Sequence, residues 1–348
     1  MYGSTGNNFI PNCVHVIWLG SYPSNETLHG LQECQNANPN YEVTLWVDKD
    51  FLGDEEFNRL LNVAKTTTPP YKIKDIKEIN EFDAFQKEFP IYDKMKQYEL
   101  NRHHNPAPKD ENRFIPNYFV PQSDMLRLWI LKYQRGGHYI DDDKLGSAKF
   151  PDQCMAKSDL TMYVPNSKNL IASNSVLSAT KDSKDLDRCL HMASSNYKLT
   201  QDNEYFKTLI GASMEGEKFN PHSQLQKSQA KHHYRYILAN LAGPYAIAET
   251  LGRQDTENKI TSFKDVVETV AKYNPDNPDN PDKPDDQRWG FLGRVLESET
   301  QNFNPINDSD KEKFSSPLTN YVGSGDKCRY DQVIQSNNSA IKKTLGST

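Results

Sequence analysis

Three consecutive carboxylates, Asp141, Asp142 and Asp143, follow Tyr139 and Ile140, with a glycine pair, Gly136 and Gly137, just upstream. Paired glycines stop a helix and redirect the chain, so Tyr139 and Ile140 read as a brief strand. On an extended backbone side chains alternate, which puts Asp141 and Asp143 on one side and Asp142 on the other. Two converging carboxylates suit a hard divalent cation, Mn²⁺ or Mg²⁺, that completes its shell with substrate phosphates rather than a full protein cage. A nucleotide diphosphate is a ligand of that class. An acidic triplet taken alone more often marks a solvated turn, so its neighbours decide the reading.

The neighbours on the N-terminal side form an amphipathic helix. Leu126, Trp129, Ile130 and Tyr133 recur at i, i+3, i+4 and i+7, which predicts a helix over residues 123–135 with Ser123 as its N-cap. Asp124 and Arg127 stand one turn apart at its head. As an isolated pair they read as a helix-surface ion pair, with the acid favoured by the helix dipole.

Further elements must position these residues. An apolar run over 14–19, a polar helical stretch over 26–37 and a second strand over 41–47 make the βαβ start of a nucleotide-binding α/β sheet. Trp18 lies in the first strand, where a tryptophan ordinarily packs in the core. Asp48 and Asp50 follow the second strand, where a carboxylate is usually a turn residue. Residues 54–115 mix helical stretches with Lys-, Asn- and Pro-rich loops and read as a helical insertion. Two helices are expected within 202–253, the second over 229–241. The repeat NPDNPDNPDKPDD, residues 274–286, excludes helix and central strand through its prolines. The domain expectation is a core over 1–272 with its insertion at about 54–115, a linker over 273–288, and a segment over 289–348 that completes the catalytic domain.

Composition narrows the function classes. With 348 residues and a net charge of −6, the chain can bury a large core but offers no overall basic excess for nucleic acid. Its five cysteines, Cys13, Cys34, Cys154, Cys189 and Cys328, include no C-x-x-C pair, which indicates neither a disulfide framework nor a zinc site. No H-E-x-x-H, G-x-S-x-G, Walker A or G-x-G-x-x-G pattern occurs, which counts against a zincin, a serine hydrolase, a P-loop enzyme and a dinucleotide dehydrogenase. The chain opens without a Sec-type signal sequence and has no run of about 18 apolar residues for a membrane span. A cytosolic protein, or one delivered by a dedicated secretion machine, fits these features.

The pattern S-D-x-L-R followed by G-G-x-Y-x-D-x-D, met by Ser123, Asp124, Leu126, Arg127, Gly136, Gly137, Tyr139, Asp141 and Asp143, resembles the DXD glycosyltransferases of GT-A fold. In particular it is similar to the large clostridial toxin glucosyltransferases and related bacterial effectors, such as the Legionella SetA type, with yeast-type mannosyltransferases further off. IPNCVHVIWLG, residues 10–20, and YEVTLWVDKD, residues 41–50, are similar to that family's first two strands, with weaker likeness in IASNSVLSA and in AGP at 242–244. The likeness covers roughly residues 10–250.

The resemblance implies a GT-A-type, Rossmann-like core with helical insertions, binding a nucleotide sugar. It implies retaining transfer of a hexose, glucose from UDP-glucose foremost, to a Ser or Thr hydroxyl of a host protein such as a small GTPase, by a secreted effector acting in the host cytoplasm. It assigns Asp124 and Arg127 to the sugar hydroxyls, and Mn²⁺ or Mg²⁺ to Asp143 directly and Asp141 partly through water. It gives Trp18 to uracil stacking, and Asp50, Ser123, Tyr139 and Asn174 to further donor contacts. The family's Ser/Trp-bearing lid has no assigned counterpart, since Trp289, Ser315, Ser316 and Ser324 lack the expected neighbours. Two alternatives stay open: a transferase of this fold acting on a glycan or lipid, and a catalytically silent nucleotide-sugar-binding module.

Overall fold

In the computed structural model the described residues are 9–104, 117–150, 152, 154–155, 159–163, 173–201, 237–251 and 321–323. They open with β1 (Phe9–Ile10), β2 (Cys13–Trp18), α1 (Asn25–Ala37), β3 (Glu42–Val47), α2 (Lys49–Thr66) and β4 (Lys72–Asp75). Helices α3 (Phe82–Glu88), α4 (Ile91–His104) and α5 (Phe119–Tyr133) lead to β5 (Gly137–Ile140). Then come β6 (Cys154–Met155), β7 (Leu160–Tyr163), β8 (Ser173–Ala179), α6 (Lys184–Gln201), α7 (Pro244–Thr250) and β9 (Tyr321–Gly323). The main sheet has the order β4-β3-β2-β5-β8-β7-β9, parallel from β4 to β5 and antiparallel beyond; β1 pairs with β6 apart from it.

Alternation along the parallel strands decides both layers. Val14, Val16, Val43, Leu45, Val47 and Ile73 pack in one cluster with Leu31 of α1 and Leu60 of α2. Ile17, Trp46 and Tyr139 face the other way, in a cluster with Phe85, Tyr92, Leu128 and Trp129 from α3, α4 and α5. Strands covered on both faces are what a parallel sheet requires. The chain is thus α/β, with the expected βαβ start realised by β2, α1 and β3. The stretch 54–115 contributes helices and also β4, which extends the parallel sheet beside β3.

Helix α5 starts a turn earlier than its apolar stripe suggests. It begins at Phe119, so Ser123 is an interior residue and not the N-cap. Pro121 falls in the first turn, where its missing N–H costs no intrahelical bond. The free N–H groups there are met from outside: Asn117 Oδ1 accepts from Phe119 N at 3.0 Å and Glu99 Oε1 from Tyr118 N at 2.8 Å. At the far end Gly136 N donates to Leu131 O at 2.9 Å. Gly136 and Gly137 have φ of +83° and +107°, and a Cβ on Gly137 would stand 2.5 Å from Cys13 Sγ. The turn therefore brings β5 against β2 at a distance only glycine permits.

The acidic triplet also departs from expectation. Residues Asp142–Ser147 form a 3-10 helix and Asp141 precedes it, so side-chain alternation on an extended strand does not govern Asp142 and Asp143. Of the two helices expected within 202–253, residues 237–241 of the second are helical, and α7 follows with Gly243 as N-cap and Pro244 at N1. The linker at 273–288 and the residues Trp289, Ser315, Ser316, Ser324 and Cys328 lie outside the described residues. Among the described residues no helix is long and apolar enough to cross a membrane.

Candidate active site

Strand β2 is followed in sequence by β3 on one side and flanked by β5 on the other, so the direction of winding reverses between β2 and β5. The crevice at the carboxyl ends of strands beside such a reversal is where open α/β sheets bind ligands. Trp18 ends β2 at that edge and Asp141 follows the end of β5. Helix α5 lays its N-terminal half alongside, delivering Ser123, Asp124 and Arg127, and β8 delivers Asn174.

These residues form one connected set. Asp124 Oδ1 accepts from Asn174 Nδ2 at 2.8 Å and stands 3.1 Å from Arg127 Nη2. The Arg127 fork donates through Nη1 to Asn174 O at 2.7 Å and through Nη2 to Ser123 Oγ at 3.1 Å. Nη1 is also 3.6 Å from Asp141 Oδ1, and the guanidinium lies 4.6 Å above the Tyr139 ring. Tyr139 Oη donates to Asp141 Oδ1 at 2.6 Å. A planar guanidinium with five donors is the side chain that can serve two carboxylates, a carbonyl and a ring at once.

Electrostatics follow from this packing. Burial raises the Asp124 carboxyl above the usual range, opposed by Arg127 and the Asn174 amide. Burial also pushes Asp141 up to about 6, against the lowering influence of Arg127 and Tyr139. Its side chain is 32% exposed, so solvent tempers that rise. Asp142 turns to α1, where its Oδ2 accepts from Thr27 Oγ1 at 3.4 Å. Asp143 is 58% exposed and pairs with Lys144 at 2.9 Å.

Among the described residues no three His, Cys, Asp or Glu side chains could together hold a metal ion. The donor chemistry fits a hard cation of the substrate-bridging kind: two carboxylates two residues apart, Asp141 and Asp143, with phosphate oxygens to complete the shell. A caged zinc or calcium ion would need more protein ligands than these.

The structure brings together Ser123, Asp124, Arg127, Tyr139, Asp141 and Asn174. Trp18 and Asp50 stand apart from that network. Trp18 is half-buried and donates from Nε1 to Ser21 O at 2.7 Å, its ring ending β2. Asp50 pairs with Lys77 and Lys96, each at 2.7 Å. Lys96, itself buried, also meets the fully buried Asp48 at 2.7 Å. Sequence reasoning missed Lys96 and Lys77, because nothing in a helix rich in polar residues singles out one lysine that reaches across from α4 to the end of β3.

No protein-family model matches the chain. Over 143 residues, 41% of the chain, it is 33% identical to Subversion of eukaryotic traffic protein A of Legionella pneumophila, of which this covers 18%. Over 190 residues, 53% of the chain, it is 27% identical to Toxin Afp18 of Yersinia ruckeri, of which this covers 8%. The chain thus spans a minor part of the length of these curated relatives. In three dimensions 94% of it aligns with 88% of the PaToxG glycosyltransferase, at 17% identity and a TM-score of 0.49. Over part of its length the chain is thus similar to bacterial proteins that include a toxin, and its own sheet topology makes its core α/β.

Proposed function

We propose that the chain is a retaining glycosyltransferase that moves a hexose, glucose from UDP-glucose foremost, to a Ser or Thr hydroxyl of a host protein such as a small GTPase. The observation that carries this reading is the network of Asp124, Arg127, Asn174, Tyr139 and Asp141 at the carboxyl end of β5. A buried acid and guanidinium, each fixed by a second partner, are suited to binding sugar hydroxyls in one orientation.

In this reading Asp124 accepts from donor-sugar hydroxyls and Arg127 donates to them. Arg127 also holds Asp141, while the Tyr139 hydroxyl orients the same carboxylate. Trp18, at the crevice edge, offers an aromatic face to the uracil, and Asp50 lies near enough to the end of β3 to serve the nucleoside side. Asp141 and Asp143 would hold Mn²⁺ or Mg²⁺. That ion would supply charge neutralisation for the leaving nucleotide diphosphate. The acceptor and the donor sugar rest on the family resemblance.

The test is donor hydrolysis by the purified chain with Mn²⁺, comparing UDP-glucose, UDP-GlcNAc and GDP-mannose, alongside Asp141→Asn/Asp143→Asn. Metal-dependent release from one donor, lost in the double variant, supports the transferase. No release from any donor, with no metal-dependent nucleotide binding, sinks it. Label from the donor found on glycan or lipid instead of protein would redirect the acceptor.

A further inference from the structure

On the α5 side of the sheet, β2, β3 and β4 are polar where the helix no longer covers them. Register pairs Cys13 with Glu42, His15 with Thr44 and Trp46 with Lys74, all on one face. A parallel sheet covered on both faces ordinarily presents apolar residues there. A crevice of about 340 Å³ opens over this patch, bordered by the C-terminal end of α5.

Its floor is polar but already satisfied. Trp46 Nε1 donates to His15 Nδ1 at 3.3 Å, which leaves the His15 proton on Nε2, 3.2 Å from Gly136 O. Cys13 Sγ donates to the same carbonyl at 3.4 Å. Glu42 is paired with Lys72. Three nitrogen donors of the lining have no acceptor among the described residues.

The first is Lys74, whose ammonium lies 5.3 Å from the Trp46 ring centroid and meets no carboxylate. The second is the Arg135 guanidinium, carried on a left-handed backbone with φ of +75° just past the end of α5. That position favours glycine, and an arginine keeps it only against its steric preference. The third is the Gln134 amide of the same lining, whose buried Nε2 has no hydrogen-bond partner among the described residues and would turn toward the crevice to meet a ligand oxygen. Two positive charges and one neutral donor call for a compact dianion with several acceptor oxygens.

We propose that this crevice is a second ligand site, which binds the phosphate of a small phosphate monoester between Lys74, Arg135 and Gln134. It is separate from the donor site. Gln134, the C-cap of α5, stands ten positions after Asp124, about 15 Å along the helix axis.

The test is calorimetric titration of the full chain with glycerol 3-phosphate and, in parallel, inorganic phosphate, at constant ionic strength, with and without saturating UDP and Mg²⁺. We expect one saturable site for the ester, unmoved by UDP and weakened at least about tenfold in Lys74→Met and in Arg135→Gly. Arg135→Gly relieves the left-handed strain, so its thermal midpoint stays at or above that of the parent and a loss of binding is not a loss of folding. The proposal is overturned by no saturable ester binding up to about 20 mM, by parent-like binding in Arg135→Gly, or by displacement with UDP. Binding of inorganic phosphate without the ester overturns the monoester assignment.

Discussion

Arg127 Nη1 lies 3.6 Å from Asp141 Oδ1, so helix α5 and the end of strand β5 share one positive charge. The same guanidinium neutralises Asp124 from 3.1 Å, and its side chain is 6% exposed. Arg127→Ala leaves the buried Asp124 and the partly exposed Asp141 without their cation and should cost about 3–5 kcal/mol in urea unfolding. Arg127→Lys keeps the charge but not the fork, so donor hydrolysis should fall at least about tenfold with a stability loss nearer 1–2 kcal/mol. Parent-like hydrolysis in Arg127→Lys would count against a sugar-binding role.

Asp141 and Asp143 should be separable from Asp142. Because Asp142 is occupied by Thr27, Asp142→Asn should change Mn²⁺-dependent UDP binding by no more than about threefold, whereas Asp141→Asn/Asp143→Asn should weaken it by about 100-fold or more. Calorimetry with and without the metal reads both. Equal losses in all variants would move the ligand assignment away from the outer pair.

Lys96 is the cation on which the buried Asp48 depends. Lys96→Met should therefore destabilise by about 3–5 kcal/mol, and Asp48→Asn/Lys96→Met should recover much of that loss. Asp50 is 40% exposed and keeps Lys77 when Lys96 is gone. Asp50→Asn should cost less than about 1 kcal/mol. A double variant as unstable as Lys96→Met alone would show that the lysine matters through packing instead.

Gly137→Ala places a Cβ 2.5 Å from Cys13 Sγ and 2.7 Å from Cys13 O, at a φ of +107°. We expect at least about 2 kcal/mol of destabilisation. Cys13→Ala in the same chain removes the sulfur clash and leaves the carbonyl clash, so it should restore only part of the loss. Full restoration would mean that the sulfur alone forbids the side chain.

Acid should weaken the sheet through two histidines. Burial lowers His15 to about 4 and His138 to about 3, and the nearby His15 depresses His138 further. A depressed base favours its neutral form in the folded state, so below about 6.5 the unfolded chain takes up more protons and stability falls with pH. Each group contributes on the order of 3 kcal/mol of loss by pH 4. Asp141 and Asp159, both raised to about 6 mainly by burial, act in the opposite sense. The histidine part is read as a difference: His138→Asn, which retains a partner for Ser178 Oγ, should have a stability profile less steep in acid than the parent between pH 6.5 and 4. Parallel profiles would be evidence against a neutral buried His138.

The sequence by itself determined what depends on local pattern. Apolar patterning and glycine chemistry located β2, β3, most of α5 and the turn into β5, a polar helical stretch located α1, and the motif of the family resemblance singled out Asp124, Arg127, Tyr139 and Asp141, with Asn174 added by a looser likeness. Spacing works there because one helical turn and one tight turn transmit position faithfully over a few residues. It failed one turn upstream, where the helix begins at Phe119 before the apolar stripe and its expected cap Ser123, and in the acidic triplet, where a 3-10 helix replaced the extended strand. Only the tertiary structure decided which distant groups meet. Lys96 reaches Asp48 across 48 positions and Asn174 reaches Asp124 across 50. The crevice of Lys74, Gln134 and Arg135 exists only because β4 lies beside β3 and α5 stops short of covering them. Such meetings depend on strand order and helix length together, and no local window of residues encodes either.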